Sequence, residues 1–140
     1  MKRKFILSEI DFGDGWILLD CFHLCPSMPL EDQIDFLNED LLSIAYDYGQ
    51  YIIDIGWYPS NEIKKGAFKI VLVNNSDWDT PILKRKCKTL AELDVALLYF
   101  AEYVKTNTKD YSKYPEIPVE YKLDKRLKFV SHYSSQNRCS

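Results

Sequence analysis

Cys21, His23 and Cys25 follow one another at two-residue steps in Cys-Phe-His-Leu-Cys. On a β-strand that spacing places both thiols and the imidazole on one face, and sulfur with imidazole nitrogen is a donor set for zinc. A structural zinc site needs a fourth ligand, and Cys87, His132 and Cys139 are the candidates, each dependent on tertiary placement. The spacing lacks the compact pair-of-pairs pattern of zinc modules, and reduced cysteines also act as small buried hydrophobes. A small metal protein or enzyme centred on these three residues is therefore the alternative reading. The leading expectation is a chain without metal or cofactor. His23 and His132 are the only histidines, so a Cys–His or Ser–His pair would have to use one of them. No glycine-rich elbow surrounds a serine or cysteine.

Carboxylates are the other chemical resource. Asp11 and Asp14, Glu39 and Asp40, and Asp77 and Asp79 come in close pairs, the kind of arrangement that serves acid–base work or magnesium. Without a second motif such pairs read as solvated faces. Asp11-Phe12-Gly13 spells the metal-binding triplet of protein kinases, but the glycine-rich and catalytic-loop signatures are missing and Asp and Gly are turn residues. Asp54 differs from the others. It sits among Ile52, Ile53 and Ile55 and shares a strand face with Tyr58. It is either a buried, hydrogen-bonded carboxylate or part of a recognition patch, because buried charge must be paired. Trp57-Tyr58 and Asp77-Trp78-Asp79 set aromatics beside acids, as core caps or as interface anchors.

These residues need elements to position them. Residues 4–24 read as strand, turn and strand around Asp11-Phe-Gly-Asp-Gly15. From Ser27 to Tyr48 the apolar residues Leu30, Ile34, Leu37, Leu41, Ile44, Ala45 and Tyr48 recur at three- and four-residue steps, which predicts a helix ended by Gly49. Glu31, Asp32, Asp35, Glu39, Asp40 and Asp47 then form an acidic helix surface with no basic partner at i+4. Tyr51–Tyr58, Ala67–Val73 and Trp78–Cys87 read as three strands, the last shortened by Pro81 and guarded as an edge by Lys84, Lys86 and Lys88. Thr89-Leu-Ala-Glu92 is a capping box opening a second helix with a stripe of Leu90, Leu93, Leu97, Phe100, Ala101 and Val104. Residues 107–140 form a Lys/Tyr-rich extension in which 119–130 is a further short element. The expected fold is a single α+β domain: an antiparallel sheet of four or five strands with two main helices packed on it.

The 140 residues suit one domain, which at this length builds a core without metal or disulfide. An apolar content of 46% with 28% charge excludes a disordered chain. The net charge of -3 conceals a split. Residues 1–63 hold 12 acids against 3 bases, and residues 64–140 hold 15 bases against 9 acids. No apolar run reaches the roughly 20 residues of a membrane span. Met-Lys-Arg-Lys is followed by only Phe5-Ile-Leu7 before Ser8-Glu9, too short an apolar core for a signal peptide. The expectation is a cytoplasmic protein with reduced thiols.

Over residues 54–106 the run Asp54-Ile-Gly-Trp57-Tyr58-Pro59, then Gly66-Ala-Phe68-Lys-Ile70-Val-Leu-Val73, then Asp77-Trp78-Asp-Thr-Pro81 and an amphipathic helix from Thr89 resembles small immunity proteins of bacterial polymorphic-toxin systems, including contact-dependent growth inhibition. The resemblance implies a non-enzymatic protein that binds and neutralises one cognate toxin domain as a tight stoichiometric complex. The unneutralised acidic half supports the same reading, since an acidic, aromatic-studded surface suits the basic cleft of a nuclease. The expected contact residues are Glu31, Asp32, Asp35, Glu39, Asp40, Asp47, Asp54, Tyr58, Asp77, Trp78 and Asp79. No membrane and no direct nucleic-acid contact is expected.

Overall fold

The computed structural model describes residues 2–4 and 9–107. The expected Lys/Tyr-rich extension, its element at 119–130, His132 and Cys139 lie outside the described residues. The described residues form two sheets: a short antiparallel pair, β1 (Lys2–Lys4) with β2 (Glu9–Asp11), and a five-stranded antiparallel sheet. The larger sheet runs β3 (Trp16–Asp20), β4 (Leu42–Tyr46), β5 (Tyr51–Tyr58), β6 (Ala67–Asn74) and β7 (Leu83–Cys87), each strand beside its predecessor. Among the described residues one α-helix, α1 (Leu90–Asn107), follows the strands. The fold is α+β, as expected.

Alternation along the strands decides the two faces of the sheet. Leu42, Ile44 and Tyr46 on β4, Ile53, Ile55 and Trp57 on β5, and Phe68, Ile70 and Leu72 on β6 are all buried and belong to one core with the helix. That helix contributes Leu90, Leu93, Leu97, Phe100, Ala101 and Val104, the stripe its periodicity predicts. Its start is the expected capping box. Glu92 N–H donates to Thr89 Oγ1 at 3.1 Å, and Glu92 Oε1 accepts from Lys88 N–H at 3.3 Å. Trp57 is a core residue, 2% exposed, set edge-on to Phe68 and donating Nε1–H to the Glu62 carbonyl at 2.9 Å. Gly66 makes room for this, because a Cβ there would lie 2.2 Å from Trp57 Nε1.

The segment 27–48 is not a helix. Leu30–Phe36 is a 3-10 segment broken at Gln33, whose φ is -123°. The Gln33 side chain instead ties down the preceding loop, accepting from Cys25 N–H at 2.7 Å and donating to the Cys25 and Met28 carbonyls. From Leu42 the chain is strand β4, followed by a tight turn at Asp47 to Gly49, all three with positive φ. The physical reason is an ambiguity of period. Leu41, Ile44, Ala45 and Tyr48 fit helical steps, yet Leu42, Ile44 and Tyr46 also alternate, and a short apolar run satisfies both. Strand pairing on both sides, with β3 and β5, decides for the sheet. The β2–turn–β3 reading holds, with Asp11 Oδ1 accepting from Gly13 N–H at 2.9 Å. Strand β3 ends at Asp20, so 21–25 is not strand, and β7 starts only at Leu83, leaving 78–82 as loop.

Two substitutions test this frame. Thr89→Ala removes the cap and lowers unfolding stability in denaturant by about 1 kcal/mol. Gly56→Ala costs about 1–3 kcal/mol of overpacking, because its Cβ would stand 2.0 Å from the Glu39 carbonyl oxygen, a backbone atom.

Candidate functional site

Side chains on the other face of the sheet alternate with the core positions. Ser43 and Ala45 on β4, Ile52, Asp54 and Tyr58 on β5, Lys69, Val71 and Val73 on β6, and Lys84 and Lys86 on β7 point this way by register. Among the described residues no helix packs on this face. Ala45, Ile52, Val71 and Val73 form a small second cluster there, with Leu18 against it. The register shift between Ile17 and Leu19 on β3 directs Leu18 and Leu19 to the same side.

A shallow groove of about 480 Å³ opens on this face. Its floor is Leu18, Leu19 and Ile52, and its walls are Asp40, Ser43, Asp54, Tyr58, Ser76 and Trp78. Trp78, Tyr58 and Trp16 are 51%, 39% and 54% exposed. The polar wall is built by a close backbone approach. With no Cβ at Gly56, the stretch 38–41 runs against β5: Trp57 N–H donates to the Asn38 carbonyl at 2.8 Å and Leu41 N–H to the Ile55 carbonyl at 3.0 Å. The Tyr58 hydroxyl donates to the Glu39 carbonyl at 3.2 Å. Asp40 is thereby carried to the groove that Asp54 lines.

Asp54 and Ser43 are a cross-strand pair, and the Ser43 hydroxyl donates to Asp54 Oδ1 at 2.5 Å. Burial holds the Asp54 carboxyl above the usual carboxylate range, the Asp40 charge pushes the same way, and the Ser43 hydrogen bond opposes both. Burial likewise raises the Tyr58 phenol, helped by Asp54, Asp40 and Glu39. The phenol therefore stays a neutral donor. Among the described residues none of Glu39, Asp40 and Asp54 has an ion-pair partner. The groove thus offers unneutralised carboxylates, a hydroxyl and two aromatic faces beside an apolar floor, which together suit a cationic side chain carried on an apolar surface.

The structure brings Asp40, Asp54, Tyr58 and Trp78 together and sets Glu39 beside them. Glu31, Asp32 and Asp35 are exposed on the 3-10 segment. Asp47 is buried in the β4–β5 turn, at the opposite end of β4 from Asp40. The acidic residues therefore do not share one helix face. Asp77 is spent on its own turn, accepting from Thr80 N–H at 3.2 Å and from the Thr80 hydroxyl. Those bonds hold its carboxyl below the usual range. Asp79 is exposed in the same loop. Of the metal-site candidates, His23 is exposed against the Phe36 ring, and burial with the Asp20 and Asp40 charges raises the Cys21 thiol. Cys87 is buried in the core on β7. Among the described residues no group of three or more His, Cys, Asp and Glu is placed to hold a metal ion.

Ser43, Leu18, Leu19 and Ser76 join the site without having been singled out in the sequence. Reading Leu42-Ser-Ile-Ala-Tyr46 as an alternating strand would have set Ser43 on the face opposite Leu42, Ile44 and Tyr46. A second exposed apolar group, Val95, Leu98 and Tyr99, lies on the outer side of α1. No helix among the described residues is long and apolar enough to cross a membrane. No family model, no curated protein and no solved structure matches the chain.

A raised carboxyl in the folded state means that ionising Asp54 weakens the fold. The penalty is absent below its ordinary value of 3.8 and develops as pH rises through the folded-state value. Asp54→Asn, which can still accept from Ser43, is accordingly more stable than the parent in urea at pH 7. Its advantage shrinks as the pH is lowered toward about 4.

Proposed function

We propose that this chain is an immunity protein that neutralises a cognate bacterial toxin domain by forming a tight stoichiometric complex, and that it docks the toxin on the open sheet face. The carrying observation is the groove that Asp40 and Asp54, without ion-pair partners among the described residues, line together with the exposed rings of Tyr58 and Trp78. Unpaired charge beside large exposed aromatics is the composition of a binding hot spot. The resemblance over residues 54–106 supports the same class. The reading is non-enzymatic: the carboxylates orient and attract a partner and do not turn over a substrate. The toxin is a nuclease with a basic substrate cleft, and the complex forms in the cytoplasm, where such an enzyme meets nucleic acid. Complementary charge accelerates the encounter, and the aromatic anchors slow dissociation.

The partner to try is the C-terminal domain of the protein encoded immediately upstream. It should co-purify with this chain at one to one, and co-expression should rescue cells from it. Trp78→Ala should cost about 2 kcal/mol of binding, on the order of 30-fold in Kd by titration calorimetry. Absence of both binding and rescue would overturn the reading.

A further inference from the structure

The open face carries three lysines as well as the acids. Direct pairing sets Asp54, Val71 and Lys84 in one row across β5, β6 and β7, and Gly56, Lys69 and Lys86 in the next. Directly opposed residues project to the same side of a sheet. Strands lie about 4.8 Å apart, so Lys84 stands two strands, on the order of 10 Å, from Asp54. Lys69, Lys84 and Lys86 are all exposed, and among the described residues none forms an ion pair. The Lys69 ammonium lies 5.9 Å from the Tyr58 ring centroid, on the seam between the two signs of charge. The face is therefore split, negative at Glu39, Asp40 and Asp54 and positive at Lys69, Lys84 and Lys86, with Val71 between them.

A partner that is basic throughout would satisfy the acids and confront three lysines with like charge, which interfaces penalise. A nucleic acid would meet the reverse conflict at Asp40 and Asp54. We infer that the open face docks a protein surface carrying both signs: a cationic side chain for Asp40 and Asp54, and acidic side chains roughly 10 Å away for the lysine rows. This rests on the immunity reading and deepens it. The toxin contact includes acidic residues outside its phosphate-binding cleft, and the two charged halves permit one orientation of the bound toxin.

The test is the Kd of the full chain for the upstream-encoded toxin domain, measured at about 0.15 M salt and at several-fold higher salt. The variants are Asp40→Lys and the triple Lys69→Glu/Lys84→Glu/Lys86→Glu, all at exposed positions. Lys84→Gln serves as a neutral removal, and thermal melts confirm folding. Both charge reversals should weaken binding by at least about tenfold at the lower salt and less at the higher. Lys84→Gln should weaken it in the same direction by a smaller factor. If the triple variant binds more tightly or unchanged while Asp40→Lys weakens, the partner is simply basic: the two-signed surface is wrong and the immunity reading stands. If the lysine variants alter only self-association or binding to a duplex oligonucleotide, the inference is overturned in favour of a second copy or a nucleic acid. If the parent chain forms no complex, the immunity reading fails and this inference falls with it.

Discussion

Among the described residues a single α-helix of 18 residues has to cover a five-stranded sheet, and it covers only one face. Every side chain that alternation turns toward α1 is committed to the core, whereas the opposite set buries only the small cluster of Ala45, Ile52, Val71 and Val73 and otherwise carries polar groups. Hence Ile53, Ile55 and Trp57 are almost wholly buried while their neighbours on β5 are Asp54 and Tyr58. The capping box at Thr89 fixes where the helix begins, and its leucine and phenylalanine stripe fixes which face it takes. The chemistry of the open face follows from that choice. Acidic and basic side chains are accommodated there because no second layer of helices among the described residues covers them.

The groove then depends on one close approach. Gly56 lets the backbone of Glu39 lie where any side chain would obstruct it, so residues 38–41, ahead of β4, hydrogen-bond to β5 through Asn38 and Leu41. Asp40 arrives near Asp54 by this route, and the mutual charge raises the Asp54 carboxyl on top of its burial. Ser43, one strand over, supplies the hydroxyl that holds Asp54 in place. A carboxylate held in this way and kept from a cation stores unmet electrostatic demand, which a partner's arginine or lysine would satisfy.

Much of this was legible in the sequence. The strands from Tyr51 and Ala67 and the helix from Thr89 carry a single unambiguous period each, and Asp54 stood out because a charge interrupts an isoleucine run. The segment from Ser27 to Tyr48 did not yield, because its apolar residues satisfy two periods at once and only pairing with β3 and β5 separates them. That error had a consequence for the site. A helix would have gathered Glu31, Asp35, Glu39 and Asp47 on one surface, whereas the strand sends Asp47 and Asp40 to opposite ends. The two tryptophans expected to share one fate also part. Trp57 fills the core, and Trp78, in a loop after β6, lines the groove. Which side of the sheet a loop folds over is a tertiary fact that no local spacing records.

The proposed docking surface is the open face and not the outer side of α1. Amide hydrogen exchange of the chain alone and with the upstream-encoded toxin domain separates the two directly. The expected result is slowed exchange in Asn38–Leu41, in β3 and in the loop from Asn75 to Ile82, with α1 unchanged. Protection confined to α1 around Val95, Leu98 and Tyr99, with the open face exchanging as before, would contradict it.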